Sequence, residues 1–411
     1  MSHAFPGAAH PGREASQPHT LLIGTLALLS AVAPLATDMY LPAFPAMARE
    51  LRSPPSAIQL TLTAFLVGLA LGQLVIGPLS DQYGRRRPLL AGSLTCLAGS
   101  LACALAPTVT LLAAGRFVQG FGGGAGIVIG RAVISDRARG AAAARLFSLM
   151  MMIGGIAPIV APVMGSIVII AVGWRGVLWV LAALSAVMVI GVLVAVPETL
   201  PPPARHAGGF ATLVRNARVV LANRAYRGYT LAYALAFSGM FAYIAASPFV
   251  LQTIVGLSKG VYSVAFGVNA GGIVLLSAVS GRLAGRVSPR RMLFLGLRAL
   301  VVLSVLLMVD VLGLGVSRWP TIVLFFGFVA TMGLVFGNGA ALATGQVPHQ
   351  AGTGSAVLGA LQFGLGAAVS PIVGLAGDAD ALPMAATMLT VSLLALLAAT
   401  TLTRSAVDAA R

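Results

Sequence analysis

The sequence predicts an all-α membrane protein, with twelve transmembrane helices arranged as two six-helix bundles. Of its 411 residues, 58% are hydrophobic and 9% are charged, and the mean hydropathy is +0.96. A soluble domain carries roughly 25% charged residues, so this composition places the chain in lipid. The hydrophobic residues form runs of spanning length, and a polar loop between two of these runs recurs in the second half of the chain.

The hydrophobic runs give the positions of the predicted helices. A run of about 20 apolar residues is long enough to cross a bilayer as a helix. On this criterion the segments lie roughly at 20–43, 57–79, 88–107, 110–133, 145–171, 174–196, 227–251, 262–283, 291–312, 319–342, 353–376 and 382–402.

The basic residues predict the orientation. The chain has a net charge of +16, with 26 Lys and Arg against 10 Asp and Glu. Most of the basic residues fall in the loops on one side of the predicted helices, which by the positive-inside rule places both termini in the cytoplasm. They occur in short clusters between apolar runs rather than on one polar face, which argues against nucleic acid as a partner.

The polar stretches divide the chain. Residues 1–19 are rich in Pro, Gly, His and Ala and lack a signal-peptide pattern, so we predict a disordered cytoplasmic tail. Residues 20–196 form the predicted N-terminal bundle and 227–403 the C-terminal bundle. Between them, 197–226 holds three consecutive prolines and several arginines at the midpoint of the chain, which predicts a cytoplasmic linker.

The repeated loop begins at Gly77 and reads Gly-Pro-Leu-Ser-Asp-Gln-Tyr-Gly-Arg-Arg-Arg-Pro. Gly77 allows two helices to approach closely, and Gly84 permits a tight turn. Asp81 can accept hydrogen bonds from loop amides or pair with Arg85. Asp136, at the inner end of the fourth segment, is expected to join them.

Such a cluster predicts a latch that holds one face shut and opens when the two halves rock. The alternative is that Arg85 to Arg87 act only as topology charges. The degraded copy, at 281–291, has Gly285 in place of Asp81. An acidic latch is therefore expected only in the first half.

Two charges lie where a membrane disfavours them, at about 2.5 to 3.5 kcal/mol each at the bilayer centre. Asp38 is an acid well inside the first segment, and Arg116 is a cation deep in the fourth. At 1.5 Å per residue they lie about 7 Å and about 9 Å from the outer ends of their helices. We expect them to share one cavity, with Gln119 on the same helix face as Arg116.

The alternatives for these charges are structural. Asp38 could merely end its helix near the interface, and Arg116 could extend its side chain to the surface. Arg298 and Asp310 also fall in an apolar segment, the ninth. Each is expected to lie near an end of it and to reach water.

The fifth segment carries Gly154, Pro158, Pro162 and Gly165 along one stripe. Small residues permit close helix approach, and regularly spaced prolines bend a helix. The stripe is expected either to shape the contact between the halves or to serve ordinary tight packing.

Catalytic patterns are missing from the sequence. Cys96 and Cys103 suggest neither a disulfide nor a metal site, and there are no paired carboxylates, no phosphate-binding loop and no nucleophile elbow. We therefore predict that the protein is not an enzyme.

Taken in order, these motifs resemble the major facilitator superfamily and, within it, the Bcr/CflA (bicyclomycin-resistance) type of drug:proton antiporters. The loop at 77–88 is similar to the superfamily's loop signature, and Arg-Phe-Val-Gln-Gly at 116–120 to its helix-four signature. The stripe at 154–165 is similar to the antiporter signature, although it reads Gly-Gly-Ile-Ala-Pro instead of the strict glycine-proline form. Thr-Asp-Met-Tyr-Leu-Pro at 37–42 resembles the subfamily's own mark.

The resemblance implies that Arg116 assists proton coupling, that Asp38 takes part in proton or substrate binding, and that the helix-five stripe favours exchange. It also implies a monomer that uses the proton gradient and no cofactor. Some related carriers hold a second acid two turns before the first. Here that position is Ser30, which leaves the proton stoichiometry open.

We therefore predict a proton-coupled multidrug efflux transporter of the bacterial cytoplasmic (inner) membrane, which exports small hydrophobic neutral or weakly cationic compounds. Asp38 would accept a proton from the outer side, protonation would loosen its link to Arg116, and substrate would displace the proton. Aromatic side chains could form a permissive drug surface: Tyr40, Phe65, Tyr233, Phe237 and Phe241. The alternatives are a proton-coupled carrier of a metabolite such as a sugar or amino acid and, more remotely, a non-transporting membrane scaffold or receptor.

Overall fold

A computed structural model describes residues 20–138, 140–205, 209–374, 377 and 380–403, and within these residues it is built from helices with one isolated β-bridge. Twelve of the described helical stretches are long and apolar enough to cross a membrane. The predicted fold class is therefore confirmed. The predicted tail at 1–19 lies outside the described residues.

We define the helices of the first half as α1 to α7, of which α1 and α2 together form one candidate membrane span. Their bounds are α1 Thr20–Asp38, α2 Phe44–Glu50, α3 Pro55–Tyr83, α4 Arg86–Leu105, α5 Val109–Arg137, α6 Gly140–Val172 and α7 Trp174–Ala195.

A shorter helix, α8 Gly209–Ala222, lies within the predicted linker. The second half comprises α9 Arg224–Phe249, α10 Lys259–Leu283, α11 Pro289–Val309, α12 Arg318–Gly345, α13 Ala351–Val369 and α14 Leu382–Leu402. The division into two bundles with a linker stays a prediction.

The first predicted span is broken in the structure. Helix α1 ends at Asp38, a 3-10 turn covers Leu41–Ala43, and α2 then begins at Phe44. Pro42 and Pro45 cause this break, because neither has an N–H to continue the helical hydrogen bonds. The last carbonyl groups of α1 are therefore free for other donors.

The helices of the first half pack closely because glycines line their contacts. A Cβ added at Gly120 of α5 would collide with the Phe65 carbonyl of α3, and one added at Gly122 would collide with the backbone of α4 at Cys96. Such close approach is typical of membrane helices. It places the side chains of α5 against both neighbours.

We call the two membrane faces the arginine-rich end, where Arg85 to Arg87 lie, and the Asp38 end. Three hydrogen bonds join the halves near the Asp38 end. The Gln59 side chain donates to the Ala245 carbonyl over 3.1 Å, and the Thr63 hydroxyl donates to the Ala367 carbonyl over 3.0 Å. The Ser370 hydroxyl donates to the Gln59 carbonyl over 3.3 Å. These bonds hold the halves together at the Asp38 end.

Candidate functional site

Arg116 is fully buried in the first half, at 0% exposure. Its guanidinium lies between two aromatic rings, 4.4 Å from the ring centre of Tyr40 and 4.4 Å from that of Phe65. It donates to the Gln119 side chain over 2.6 Å and to the Ala36 carbonyl over 2.7 Å. Among the described residues, no carboxylate lies within ion-pair distance of it.

The contact with Ala36 follows from the break after α1. Ala36 lies in the last turn of that helix, where carbonyl groups lack helical partners and the helix dipole is negative. A cation is favourable at that position, and the two rings add cation–π attraction. Arg116 therefore fixes the end of α1 to α5.

A hydrogen-bonded chain extends from Arg116 into the neighbouring helices. Gln119 donates to the Ser100 hydroxyl over 2.8 Å, and Ser100 lies 3.1 Å from the Ser185 hydroxyl. On the other side, the Tyr40 hydroxyl lies 3.3 Å from that of Thr61. The sequence analysis missed Ser100, Ser185 and Thr61, because isolated hydroxyls in apolar helices carry no motif.

Asp38 is buried at the end of α1, with 5% exposure. It does not form the direct link to Arg116 that we expected: the two terminal nitrogens of the arginine donate to Gln119 and to the Ala36 carbonyl instead. A rotation of about 200° around the helix axis also separates positions 36 and 38. The carboxyl group instead lies within electrostatic range of the Tyr243 and Tyr262 hydroxyls of the second half.

These two tyrosines belong to a buried polar group in the second half. The Asn269 side chain donates to the Tyr243 hydroxyl over 2.7 Å, and the Ser247 hydroxyl lies 3.2 Å from that of Tyr262. All four residues are buried. The electrostatic environment of Asp38 thus includes two hydroxyl groups of the second half.

An aromatic cluster lies along α9, closer to the arginine-rich end than Tyr243 of the same helix. The Phe237 ring centre is 5.0 Å from that of Phe241, 6.0 Å from that of Phe336 and 5.6 Å from that of Phe363. Tyr233 joins it through Phe336, at 5.3 Å. Phe336 and Phe363 were not singled out from the sequence, since a lone Phe in an apolar helix resembles any lipid-facing residue.

The repeated loop of the first half surrounds Arg85. This side chain donates to Asp136 over 3.1 Å and to the Ser80 hydroxyl over 2.8 Å, and it also pairs with Asp81. Gly84 has a φ of +91°, which a residue with a side chain rarely adopts. The structure thus brings together Asp81, Gly84, Arg85 and Asp136, while Gly77 contacts Val128 of α5.

Two further residues complete this cluster. Glu198 accepts hydrogen bonds from the Arg85 amide over 2.7 Å and from the Arg86 amide over 3.3 Å, and the Thr199 hydroxyl donates to Asp136 over 2.8 Å. Neither residue was predicted from the sequence to join the loop cluster, since Glu198 lies 113 positions from Arg85 and Thr199 lies 63 positions from Asp136.

The charge of Glu198 is stabilised by its surroundings. Burial opposes its ionisation, but hydrogen bonds from the amides of Leu200, Arg85 and Arg86, with the charge of Arg205, hold the pKa of Glu198 below its ordinary value. This carboxylate therefore stays charged at neutral pH.

The fifth predicted segment corresponds to helix α6, and its stripe of glycines and prolines packs against two neighbouring elements. A Cβ added at Gly165 would collide with the Met39 carbonyl, next to Asp38. Pro162 is buried and Pro158 half-buried, and the Ile159 carbonyl of the same helix lies 2.9 Å from the Cβ position of Gly267 in α10. Gly154 lies in the same helix, α6. This helix therefore touches both the end of α1 and the second half.

The expectation that Asp310 and Arg298 both reach water near helix ends was wrong. Asp310 is buried at 3% exposure, because its carboxylate accepts from the Thr321 hydroxyl over 2.6 Å and from the Ser317 amide over 3.2 Å. Arg298 is exposed, but it lies near the middle of α11.

A family model described as Major Facilitator Superfamily matches residues 26–371. A Bacillus subtilis (strain 168) protein named "Uncharacterized MFS-type transporter YdgK" is 37% identical over 94% of this chain and 95% of the relative. The "Bicyclomycin resistance protein homolog" of Haemophilus influenzae is 29% identical over 90% of this chain and 92% of the relative. "Multidrug resistance protein MdtL" of Escherichia fergusonii is 28% identical over 80% and 82%.

Solved structures share the fold at low sequence identity. A bacterial homologue of the human lysosomal transporter Spinster superposes with a TM-score of 0.75 at 15% identity, covering 96% of this chain and 98% of that one. A D-xylose-proton symporter gives 0.74 at 13% identity, covering 93% and 97%. The resemblance to the bicyclomycin-resistance group drawn from the motifs agrees with the names of the Haemophilus and Escherichia relatives.

Proposed function

The chain belongs to the major facilitator superfamily of membrane transporters, and from this premise we propose that it is a proton-driven exporter of small hydrophobic compounds, neutral or weakly cationic. Relatives named for bicyclomycin and multidrug resistance support the substrate class. The burial of Asp38 at the boundary between the halves supports the proton coupling.

The proposed orientation places the arginine-rich end in the cytoplasm, with the protein in the bacterial inner membrane. The basic clusters of the loops support this through the positive-inside rule. Because the halves are hydrogen-bonded near the Asp38 end, the structure then corresponds to a state closed to the outside.

The observation that carries the proposal is a buried carboxyl group without a basic partner. Asp38 is 5% exposed, and among the described residues no cation lies within ion-pair distance of it. Burial disfavours a lone carboxylate, so a site of this kind favours taking up a proton. A group that gains and loses one proton is what coupling to the proton gradient requires.

In the proposed cycle, Asp38 takes a proton from the outer side when the halves separate there. Closure of that end brings the neutral carboxyl group against Tyr243 and Tyr262. Substrate entering from the cytoplasm then favours release of the proton inward. Inward proton flow drives the export step.

Arg116 has a positioning role in this proposal. It holds the end of α1 through the carbonyl of Ala36, and Ala36 lies two residues before Asp38 in the chain. Loss of the arginine would free the segment that carries the acid. The arginine also adds positive potential nearby, which suits neutral or weakly cationic substrates better than dications.

The proposed drug surface is the aromatic cluster around Phe237. Flat apolar rings bind varied hydrophobic compounds without demanding a fixed pattern of hydrogen bonds. The protein would work as a monomer, with the proton gradient as its energy source and without a cofactor.

The test is accumulation of amphenicols and lipophilic cationic dyes in cells that lack their own pumps. Wild type, Asp38→Asn and Asp380→Asn are compared with and without a protonophore. Asp380 is the control, because it lies in a loop and its carboxylate accepts only the Leu382 amide among the described hydrogen bonds.

We expect low accumulation in energised cells for wild type and Asp380→Asn, and high accumulation for Asp38→Asn at equal membrane abundance. If wild type expels none of these compounds, the drug proposal is wrong and the substrate is to be sought among metabolites. If Asp38→Asn exports as well as wild type, the proton site lies elsewhere.

A further inference from the structure

A second buried acid, Asp310, lies in the second half, at the end of the helices opposite to the arginine-rich end. Asp310 follows α11, whose 21 residues span about 31 Å from Pro289 at the arginine-rich end. A π-helical turn, Asp310–Leu314, begins there and ends at Gly315 with a φ of +68°. Asp310 thus lies near the boundary between the hydrocarbon and the headgroups.

Asp310 lies in the wall of a cavity of about 290 Å³. Apolar side chains of α11 and α12 form most of the rest of this wall, among them Leu306, Val309 and Val323. Val309 is 57% exposed and Val323 is 64% exposed, so the cavity opens toward the lipid. Its shape and lining suit the upper part of an acyl chain.

The charged side chains in this region, Asp310 and Arg318, have opposite signs. Asp310 accepts hydrogen bonds from Ser317 and Thr321 but forms no ion pair with any described residue. Arg318, at the start of α12, is exposed and lies 5.5 Å from the ring of Trp319. Trp319 is 69% exposed, as is typical of a tryptophan at the membrane interface. The wall of the cavity thus contains a buried acid, and an exposed arginine lies two residues before Pro320 of the same wall.

We propose that this cavity binds a zwitterionic phospholipid with a primary ammonium group, phosphatidylethanolamine. Its ammonium donates to the Asp310 carboxylate, its phosphate pairs with Arg318, and one acyl chain occupies the apolar wall. Each charge on the protein then meets an opposite charge on the lipid. This site lies apart from Asp38 and Arg116 and does not depend on the proposed transport function.

The chemistry of the carboxylate selects among lipids. A primary ammonium has three N–H donors, whereas the trimethylated ammonium of phosphatidylcholine has none and is bulkier. Phosphatidylglycerol has no cation for Asp310 and brings a net negative charge close to it. Both should bind more weakly at this position.

The test is native mass spectrometry of the purified, delipidated protein titrated with phosphatidylethanolamine, phosphatidylcholine and phosphatidylglycerol of matched acyl chains. We expect wild type to bind phosphatidylethanolamine about tenfold more tightly than phosphatidylcholine, the size expected for a charge-assisted hydrogen bond. Asp310→Asn should remove this preference. Asp380→Asn, which changes an acid in a loop at the same membrane face, should keep it.

Two more variants separate the parts of the site. Arg318→Gln should weaken phosphatidylethanolamine and phosphatidylcholine alike, since both carry the phosphate. Val323→Trp should fill the cavity and abolish the preference without touching the hydrogen bonds of Asp310, which keeps the test valid if Asp310→Asn folds poorly. Equal binding of the lipids by wild type, or a preference that survives in Val323→Trp, would overturn the proposal.

Discussion

The two halves of the molecule carry copies of one loop, and the two copies have different structures. In the first half, α3 continues to Tyr83, so Asp81 reaches Arg85 within the last turn. In the second half, α10 ends at Leu283, and Gly285 takes the position of Asp81 with a φ of +85°. An aspartate would be strained there, so the second copy differs in backbone as well as in side chain.

The same asymmetry runs through the membrane interior. The first half buries Asp38 and Arg116, whereas the second half buries tyrosine hydroxyls and a cluster of phenylalanine rings. Asp310 is the second half's buried charge among the described residues, and it lies at the membrane surface. Under the proposed function, the first half carries the charge chemistry and the second half carries the drug surface.

Among the substitutions that test this comparison, the one at Arg116 is expected to reduce efflux most. Arg116→Gln leaves the Ala36 carbonyl without its donor in a buried setting, at a cost of about 1 to 3 kcal/mol, and frees the segment that holds Asp38. Energised efflux should fall to the level of cells without the protein. Arg298→Gln, which removes an exposed arginine of the second half, should export as wild type does.

Efflux is measured at equal membrane abundance, with the melting temperature of each purified variant as the control for folding. Normal efflux by a stably folded Arg116→Gln protein would contradict the assignment of charge chemistry to the first half.

The second largest reduction in efflux is expected from a substitution in the repeated loop of the first half. Arg85→Gln breaks both ion pairs of the first loop, so the rate of drug efflux should drop several-fold while binding persists. Arg286→Gln makes the same change of charge at an exposed position of the second copy and should leave the rate within the error of the assay. Initial rates in proteoliposomes under an imposed pH gradient check this pair. Equal losses in both variants would mean that the loops act only through their positive charge.

A smaller effect is expected at the aromatic cluster. Phe237→Leu removes ring contacts worth about 0.5 to 1.5 kcal/mol each, so the KM for aromatic drugs should rise about threefold to tenfold. Phe326→Leu is the control, because that ring is 37% exposed on α12. Drug-dependent efflux rates give the KM of each variant. A fall in the maximal rate without a change in KM would place Phe237 outside the drug surface.

The smallest effect is expected at Glu198. The pKa of Glu198 is held below its ordinary value. The stabilisation that its carboxylate gives to the loop cluster is therefore fully present above the ordinary pKa and is lost as the pH falls through the lowered pKa. Glu198→Gln should therefore slow efflux slightly and by the same factor at every pH from 6 to 8. Rates in proteoliposomes across this range test it, and a deficit that disappears toward pH 6 would contradict the stated direction.

The sequence predicted the fold because twelve apolar runs and a repeated loop are strong local signals. It also predicted the cluster of Asp81, Gly84, Arg85 and Asp136, since opposite charges in neighbouring loops at one membrane face tend to pair. The end of α1 at Asp38 was given only as the alternative interpretation, and the break that follows is caused by Pro42 and Pro45.

The contacts that could not be predicted from the sequence join residues that are far apart in the chain or depend on how a helix ends. The attachment of Arg116 to the Ala36 carbonyl, instead of to Asp38, depends on how α1 ends and on which donors meet there. Glu198 joins the loop cluster from over a hundred residues away. The burial of Asp310 likewise requires the turn that brings Thr321 back to it.

The central claim is that Asp38 carries the coupled proton, and it is tested most directly by proton release from purified protein in weakly buffered detergent solution when a transported drug is added. Wild type should release about one proton per protein molecule at saturating drug, and Asp38→Asn should bind the drug and release none. Release by Asp38→Asn equal to that of wild type would contradict the account.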